Sequence, residues 1–462
     1  MEKGTKFFTS NDNQRIALEN KYEQMYSGLY SHIINYSADE RGLNARKVAP
    51  LVPLPAVIAD INADLLFGEF PNFIFDDEGT QGVIDQWLSD TYFKTDTLEA
   101  CTYTSVLGTI FLYSYEYDSK TYYKYIKPNS ILWDEDDFGF TNAKVFDLIN
   151  IEDNGKYANY KVQEHKFVYD EEAPSPYLTD GRKHVLLNYN VRIRISDGLV
   201  KDISEYKETI TEQDFLPIVK VCNIKLMGQK SGKSDYEGKC QLFAEVDNRL
   251  DQINYILQEH VEPWTAVPAG LLDQDGKLSR NFGKMYEKMG TTANDDISVR
   301  TWDGKLTDAF ESISTMIRMI LFTSRISAPI AGFNDKNGTS VESGVALKWR
   351  SISTSAMIMR KRKYWEDSLR DFLTQQSQMS GVLKDIDFSL MKFEWQDGMP
   401  MDEETFVNNV VTQVNAGLMS KLEGIQQTQE LDKANAEKEL NQIGAEQQEN
   451  ANIQATKFRV EV

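Results

Sequence analysis

Apolar residues recur at intervals of three and four along much of the chain, and this spacing predicts amphipathic helices. The first of these helices follows Pro55, a residue suited to a first helical turn, and Gly68 and Pro71 mark its end. Its apolar positions are Val57, Ile58, Ile61, Leu65 and Leu66. Further helix is predicted from Thr80 to Ser114, so the region after Pro55 should be mainly helical.

From Ile110 to Val221 the pattern changes to short runs of Tyr, Ile, Val and Thr separated by turn sequences. The turn sequences are Asp-Asn-Gly, Ala-Pro-Ser-Pro, Thr-Asp-Gly and Ser-Asp-Gly. This region is therefore predicted to be rich in antiparallel strands.

Two helices of similar length are predicted on either side of a small module rich in turns. Ser234 and Glu237 predict a capping box for the first helix, which runs to about His260, and the second helix ends near Ser327. The apolar positions are Phe243, Val246, Leu250, Ile253 and Ile256 in the first helix and Leu306, Phe310, Ile313, Ile317 and Ile320 in the second. Such a pair, with its two ends side by side, should form a protruding hairpin with a compact tip.

The rest of the chain is predicted to contain one long helix and a polar helical segment. Thr339 and Glu342 predict a capping box for a helix that reaches Phe372. Its apolar positions are Val345, Trp349, Ile352, Ala356 and Met359. Residues 401–453 are predicted to be helical in two parts divided at Gly417, and their polarity favours packing against copies of the same segment.

The 462 residues are enough for about two to four domains, and the apolar and aromatic content predicts a folded protein. No apolar stretch is long enough to span a membrane and the N-terminus lacks a signal-peptide core, so we expect a cytosolic protein or part of a particle assembled in the cytosol. Cys101, Cys222 and Cys240 are too widely spaced for a disulfide framework or a Cys-x-x-Cys metal site. Reduced, buried thiols are expected.

The sequence has 50 Lys and Arg residues against 71 Asp and Glu residues, which gives a net charge of −21. Stable binding to DNA needs a basic surface that displaces phosphate counterions, so this composition argues against a tight DNA binder. An acidic wall repels phosphates and would let a duplex slide past without being held. Charge alone leaves open the choice between a sliding surface for DNA and simple solubility.

The sequence GQKSGKS, residues 228–234, stands between a strand-like run and a helix, which is the setting of a phosphate-binding loop. The usual loop has about four residues between its first glycine and Gly-Lys-Ser, and this one is a residue short. Asp235, in the first turn, would also repel a phosphate. A linker into a capped helix is therefore favoured over a nucleotide site.

Three other groups of residues are candidates for chemistry. In DEDDFG, residues 134–139, Phe138 and Val145 stand where a calcium loop needs ligands, so a turn between strands is favoured. The histidines lack metal-ligand spacing and a consistent Ser or Cys partner, so no catalytic set is assigned; they are His32, His165, His184 and His260. The basic run 360–363 is favoured as a solvated or intersubunit ion-pair surface, with a phosphate contact as the alternative.

Several segments occur in an order that matches a known family. They are ADLLFGE (63–69), GKSD (232–235) leading to VDNRLDQI (246–253), SAPIAGF (327–333), ESGVALKWR (342–350) and the two-part helical C-terminal segment. In this order, with the helix, small module and helix between 239 and 325, the chain resembles a portal protein of tailed bacteriophages, of the type found in phages of Gram-positive hosts. The resemblance covers most of the chain.

The resemblance implies an α+β, ring-forming portal fold with a mixed wing, two stem helices, a small β-containing clip, a long wing helix and a helical crown. The segments it implies are the first part of the wing at 1–238 (β-rich at 110–221), stem helices at 239–260 and 306–327, the clip at 261–305, a tunnel loop at 328–342, the rest of the wing at 343–400 and the crown at 401–455.

The function implied is a ring, usually of twelve copies, through which DNA enters and leaves the capsid at one vertex. The implied partners are further copies of the chain, double-stranded DNA in transit, the terminase large subunit, head-completion or adaptor proteins, and scaffolding and major capsid proteins. No membrane, cofactor, metal or enzymatic activity is implied, and the location is the virion, after assembly in the host cytoplasm.

Two sets of residues carry the implied contacts. The tunnel loop would face DNA through Gly332, Phe333, Asn334, Asp335, Lys336 and Asn337. The clip would dock the motor or adaptors through Trp264, Leu271, Asp273, Lys277, Arg280 and Trp302. Because Lys336 is the only basic residue among the six of the tunnel loop, contact with DNA there should be weak and independent of sequence.

Two alternatives from other classes are considered. One is another structural head or connector protein, which would lack the order of stem helix, clip and stem helix. The other is a packaging ATPase subunit that uses Lys233, which would need a complete phosphate-binding loop and a downstream acidic strand end.

Overall fold

The computed structural model describes most of the chain outside a few segments. The described residues are 3–29, 52–118, 120–136, 139–169, 182–211, 213–261, 264–268, 285–288, 298–300, 306–333, 349–379, 381–395, 403–429, 431 and 435–446. The capping box of Thr339 and Glu342 lies outside them.

The helices are α1 (Ser10–Tyr26), α2 (Leu54–Phe67), α3 (Glu78–Asp90), α4 (Phe93–Leu107), α5 (Cys240–Val261), α6 (Leu306–Thr323), α7 (Ile352–Ser377), α8 (Glu403–Asn415) and α9 (Lys421–Gln429). The strands are β1 (Asn72–Ile74), β2 (Thr109–Tyr117), β3 (Lys120–Ile126), β4 (Ile131–Asp136), β5 (Gly139–Glu152), β6 (Tyr157–Tyr169), β7 (Arg182–Arg194), β8 (Val200–Ile203), β9 (Lys207–Ile210), β10 (Ile218–Cys222), β11 (Trp264–Pro268), β12 (Met285–Lys288), β13 (Ser298–Arg300) and β14 (Lys392–Glu394). The predicted mixture of helices and strands is confirmed.

The chain divides into two compact units. The larger contains residues 1–334 and 351–398, and the smaller contains residues 335–350 and 399–462.

The helical core of the larger unit is built from α2, α4, α5, α6 and α7 with strands β2 and β10. In α2, Pro55 lies in the first turn and Gly68 follows the last residue, as predicted. Ile58 and Leu66 of the predicted apolar face are buried, whereas Val57 is exposed. This core fills the space between these helices and one face of the sheet that contains β2 and β10.

The helix predicted up to Ser114 ends earlier, at Leu107. Gly108 adopts a left-handed conformation, with φ of 81°, and caps α4; β2 then begins at Thr109. A glycine is required here because this conformation strains other residues. The apolar residues after Gly108 belong to a buried strand, which short apolar runs do not distinguish from a helix.

The strand-rich region forms an antiparallel sheet, as predicted. Five strands follow the order β4-β5-β6-β7-β8, and β9 also pairs with β7. One apolar cluster on this sheet contains Phe7, Phe146 and Val162, and another contains Ala143 and Val145 with Phe111 of β2. Both faces of the sheet are therefore covered near its centre, since alternate residues of a strand face opposite sides.

Three smaller sheets complete the strand structure that is described. They have the orders β1-β14, β10-β2-β3 and β12-β11-β13. In the last of these, β11 is parallel to β12 and antiparallel to β13.

Helix α7 begins at Ile352 and buries a different face from the one predicted. Trp349, Ile352, Ala356 and Met359 are exposed, while the buried face includes Met357, Ile358, Lys361, Trp365 and Leu369. Both the predicted positions and the buried ones recur every three or four residues, so this spacing alone does not indicate which face of α7 is buried. Packing on α2, β2 and β10 decides which face is buried.

In the described part of residues 401–453, the smaller unit contains the helical stretches α8, α9 and 435–446, where two helical parts were predicted. Gly417, with φ of 70°, lies in the turn between α8 and α9, at the predicted division. Within this unit Gly424 of α9 approaches Val410 and Val414 of α8 closely. No described helix of the chain is long and apolar enough to cross a bilayer.

Candidate functional site

Helices α5 and α6 pack together and carry a small sheet, β11–β13, between them in the sequence. Apolar side chains of both helices enter the helical core; they are Phe243, Val246 and Ile253 from α5 and Ile313, Ile317, Ile320 and Leu321 from α6. Phe310 is half-exposed, contrary to its predicted core position. The base of this helical pair is the candidate functional site, because it is where an insertion joins the rest of the larger unit.

The base contains a buried ion pair between two segments far apart in the sequence. The Nζ atom of Lys361 on α7 lies 2.7 Å from Oδ2 of Asp235 and 3.0 Å from Oδ1 of Asn62 on α2. Ser105 on α4 donates its hydroxyl to the same Asp235 oxygen at 2.6 Å. Lys361 is 1% exposed. The pair therefore joins α2, α4, α7 and the turn before α5.

Electrostatics keep this pair charged. Burial alone would raise the pKa of the Asp235 carboxyl, but the charge of Lys361 and the hydrogen bonds from Lys361 and Ser105 outweigh burial, and the pKa is lowered. Lys239 donates to the carbonyl of Asp235 at 2.5 Å, and burial lowers its pKa although Asp235 opposes this effect. Asp235 is thus an ionised carboxylate that accepts hydrogen bonds from Lys361 and Ser105.

The interpretation of residues 360–363 as a solvated face is wrong for Lys361. Ile358, Lys361 and Trp365 are separated by three and four positions and share the buried face of α7. That spacing in the sequence indicated that Lys361 could lie on a buried face. Burial of a lysine is costly unless it is paired, and Asp235 is the partner that offsets this cost. Arg362 instead lies over the ring of Trp395, 4.9 Å from its centre.

The predicted capping box at Ser234 is not formed, because α5 starts six residues later, at Cys240. The Ser234 hydroxyl accepts from the amide of Tyr236 and donates to the carbonyl of Val106 on α4. Gly238, with φ of 79°, lies in the intervening turn. Ser234 therefore fixes the turn to α4 and does not cap the helix.

The segment 228–234 does not have the geometry of a phosphate-binding loop. Gly232 packs so closely on Gly108 that a Cβ atom on either residue would lie under 3 Å from the other's carbonyl oxygen. Its amides donate within the protein: those of Gly232, Lys233 and Asp235 bond Oγ1 of Thr109, the carbonyl of Ile224 and the carbonyl of Ser105. These groups are not directed at a ligand, so the linker interpretation is preferred.

The loop after α6 is attached to the start of α7. The amide of Ser327 donates to Oγ1 of Thr354, which in turn donates to the carbonyl of Arg325, both at 2.9 Å. Gly332 adopts φ of 76° and Phe333 packs against the helical core. Of the six predicted DNA-facing residues these two are described, and residues 334–337 lie outside the described part.

The predicted clip residues are mostly outside the described part of the chain. Trp264 is the first residue of β11 and is paired in register with Arg300 of β13. Leu271, Asp273, Lys277, Arg280 and Trp302 are not among the described residues. The structure thus contains a small sheet within the predicted clip. The docking role of these six residues remains a prediction.

Two of the four histidines form a pair that the sequence did not indicate. Nδ1 of His165 lies 3.0 Å from Nε2 of His184, whose own Nδ1 lies 3.0 Å from the hydroxyl of Thr211. That hydroxyl donates to the carbonyl of His184, so it accepts from the ring. His184 then carries its proton on Nδ1 and accepts from His165 through Nε2.

Burial keeps both rings neutral. It lowers the pKa of His165 to about 3, and the repulsion that a protonated His165 would meet from a protonated His184 and from Lys124 adds to this effect. Burial also lowers the pKa of His184 to about 4, against a hydrogen bond with Gln213. His165 and His184 lie on neighbouring strands two positions out of register, so their pairing follows from strand pairing alone. Among the described residues, no group of three or more His, Cys, Asp or Glu side chains could hold a metal ion.

Comparisons with known proteins give one informative result. A family model described as "Phage portal protein, SPP1 Gp6-like" matches residues 6–452, nearly the whole chain. The curated protein sequences contain no significant match.

Proposed function

The chain belongs to the SPP1 Gp6-like family of phage portal proteins, and on that basis we propose that copies of it close into the channel through which DNA is packaged and ejected at one capsid vertex. The protein is a phage portal protein, a structural component of the virion, in a family that is not enzymatic. The observation that carries this proposal is the match over residues 6–452, which includes the complete helix–sheet–helix segment from Cys240 to Thr323.

Helices α5 and α6 are assigned as the stem of each subunit and residues 261–305, with strands β11–β13, as the clip. The order of helix, small sheet and helix supports this assignment, as does the packing of α5 on α6. The clip would dock the terminase large subunit during packaging and adaptor proteins afterwards. Trp264, Leu271, Asp273, Lys277, Arg280 and Trp302 are the residues assigned to these contacts.

The segment 328–342 is assigned as the tunnel loop, with Gly332 to Asn337 towards DNA. Its support is the firm attachment of its start, since Ser327 and Phe333 are held by α7 and the helical core. A loop fixed at its base can touch a moving duplex without displacing the helices behind it. Lys336 provides one positive charge in this segment, so contact with phosphates is weak.

The net charge of −21 supports passage of DNA in both directions. A channel lined by many cations would hold phosphates at each step, and release would need many ionic contacts to break together. A net negative chain avoids such contacts and keeps the duplex mobile. The remaining wing, 1–238 and 343–400, and the crown, 401–455, would contact the capsid, scaffolding proteins and neighbouring copies.

The buried pair of Lys361 and Asp235 is assigned a positioning role at the base of the stem. It connects the turn before α5 to α7, the helix that also holds the start of the tunnel loop. Any movement of α5 relative to α7 would separate two charges in a low-dielectric surrounding, which is costly. The stem and the tunnel-loop base are therefore expected to move as one body.

The first experiment is native mass spectrometry of the purified full-length chain, with negative-stain electron microscopy. A ring with a central hole, of the twelve or so copies usual in the family, is the expected result. A stable monomer that hydrolyses ATP would contradict the proposal. Lys233→Ala is the control variant, and it should assemble like the natural chain because the loop amides around it are bonded within the protein.

A further inference from the structure

Two edges of the large sheet have no neighbouring strand among the described residues. Strand β4 pairs with residues 139–145 of β5 and stops there, so residues 146–152 pair with β6 alone. At the opposite side of the sheet, β9 (207–210) pairs with β7 alone. We call these segments the β5 edge and the β9 edge.

Both edges expose apolar side chains. On the β5 edge Leu148, Ile149 and Ile151 are 52%, 55% and 57% exposed, and on the β9 edge Ile210 is 63% exposed. The pairing register of β5 with β6 shifts between Leu148 and Asn150, so Ile149 is the extra residue of a bulge. Exposed apolar residues on an unpaired strand are the usual template for pairing with another chain.

The protein covers parts of the same two sides. Residues 4–7 lie along β8, where the amide of Gly4 donates to Val200 and the amide of Val200 donates to Thr5, both at 2.9 Å. At the start of β4, Arg15 donates to the carbonyls of Pro128 and Ile131. Sheet edges in soluble proteins are normally protected in such ways, so two edge segments that no described residue covers indicate a partner.

We propose that the β5 edge of one copy pairs with the β9 edge of the next copy, so that the large sheets continue from subunit to subunit. The proposal rests on the ring of the proposed function. A ring needs two different surfaces that fit each other, because identical surfaces give closed pairs. The two edges are different and lie on opposite sides of one sheet.

Photo-crosslinking tests the pairing directly. A benzophenone amino acid replaces Ile149 in the full-length chain, and rings are assembled from an equal mixture of normal and isotope-labelled copies before irradiation. We expect crosslinks between differently labelled copies that map to residues 205–211. Intermolecular crosslinks that map to any other segment would overturn the pairing while leaving the ring intact.

A charged substitution tests whether the edge is needed for assembly. Ile151→Lys should lower the assembled fraction at least about tenfold, because every boundary in the ring loses an apolar contact and gains a charge at the edge. Ile195→Lys is the matched control; Ile195 is 50% exposed and follows the inner strand β7. Circular dichroism and thermal unfolding of both variants check that each subunit is folded.

The outcomes separate the two proposals. Equal assembly of Ile151→Lys and Ile195→Lys would contradict the edge pairing and leave the portal ring in place. A natural chain that forms no ring, alone or with its capsid proteins, would contradict the proposed function and the edge pairing together.

Discussion

The helical core and the large sheet of the same unit both bury ionisable side chains, but they keep them in opposite states. In the helical core Lys361 and Asp235 are both charged and 2.7 Å apart. In the sheet His165 and His184 are both neutral and share one hydrogen bond. Lys361 and Asp235 are partners of opposite charge, which favours the charged form of each. Among the described residues neither histidine has such a partner, so burial favours the neutral form of both rings.

The difference also concerns distance along the chain. The histidines are 19 residues apart on strands joined in sequence, while Lys361 and Asp235 are 126 residues apart. The contact in the sheet therefore joins two strands that follow each other in the sequence. The contact in the helical core joins segments that are far apart in the sequence. Four predictions follow from this contrast, given from the largest expected effect to the smallest.

Removing Lys361 should damage the helical core most. Lys361→Ala leaves Asp235 as an uncompensated buried carboxylate, so the free energy of unfolding should fall by about 3–5 kcal/mol. Urea unfolding followed by tryptophan fluorescence measures this loss. Lys363→Ala is the control on the exposed face of the same helix, and it should change the free energy by about 0.5 kcal/mol or less.

The double variant Lys361→Met, Asp235→Asn distinguishes lost charge from lost packing. It should recover part of the stability lost in Lys361→Ala, since no uncompensated charge remains. If Lys361→Ala were as stable as Lys363→Ala, the contrast between the two regions would be wrong.

Gly108→Ala should destabilise the helical core more than Gly155→Ala destabilises the sheet. Both residues have positive φ, but a Cβ at position 108 would collide with the backbone at Gly232, while a Cβ at 155 would meet open space. We expect a loss of about 1 kcal/mol at Gly155 from backbone strain alone and a clearly larger loss at Gly108. Thermal unfolding of the two variants provides the comparison, and equal losses would count against a tight crossing of the two glycine segments.

Acid should weaken the sheet before it weakens the charged pair. The unfolded histidines titrate near pH 6.5 and the folded ones at about 3 and about 4, so the unfolded state binds more protons in this interval. The histidine contribution to stability is complete above pH 6.5 and is lost progressively as the pH falls towards 4. The Asp235 contribution is lost only below the ordinary pKa of an aspartate, because its folded pKa is lowered.

The difference between the natural chain and His184→Gln isolates the histidine effect. This subtraction is needed because burial raises the pKa of Glu19 to about 7 against the influence of Arg15, and that shift has the opposite sign: its contribution is lost as the pH rises. The measurement is the unfolding free energy between pH 4 and 7. An identical pH dependence in the two proteins would show that the rings are not buried neutral.

Lys336→Ala should have the smallest effect, on DNA passage and not on folding. Lys336 is the only basic residue of segment 328–342 and would contribute one weak phosphate contact per copy, so packaging and ejection should change little. Packaging efficiency in assembled particles is the measurement. A complete block of packaging by this substitution would contradict the view of a channel in which DNA slides.

The sequence predicted the features that depend on neighbours in the chain. Helices α2, α5 and α6 lie where apolar spacing indicated, and the strand-rich region begins at Thr109, one residue before its predicted start at Ile110. The order of short motifs indicated the portal family, which the family comparison confirms. These signals depend on residues close together in the sequence, so the elements and the family could be predicted without knowledge of tertiary contacts.

The site at the base of helices α5 and α6 was not predictable in the same way. Ser234 had the pattern of a helix cap, but its hydroxyl bonds Val106, a residue 128 positions away. Lys361 had the pattern of a surface lysine, and its partner Asn62 is 299 positions away. A local sequence pattern limits the contacts that a residue can make. Packing against segments far away in the sequence decides which of those contacts forms.

The separation of Lys361 from Asp235 has a consequence for synthesis on the ribosome. At about 5–20 residues per second, roughly 6–25 seconds pass between the two residues. During that time the carboxylate of Asp235 lacks its hydrogen-bonded partner Lys361, and burying it without this partner is costly. The ion pair that joins the turn before α5 to α7 can therefore form only after residue 361 has been made, when more than three quarters of the chain has been synthesised.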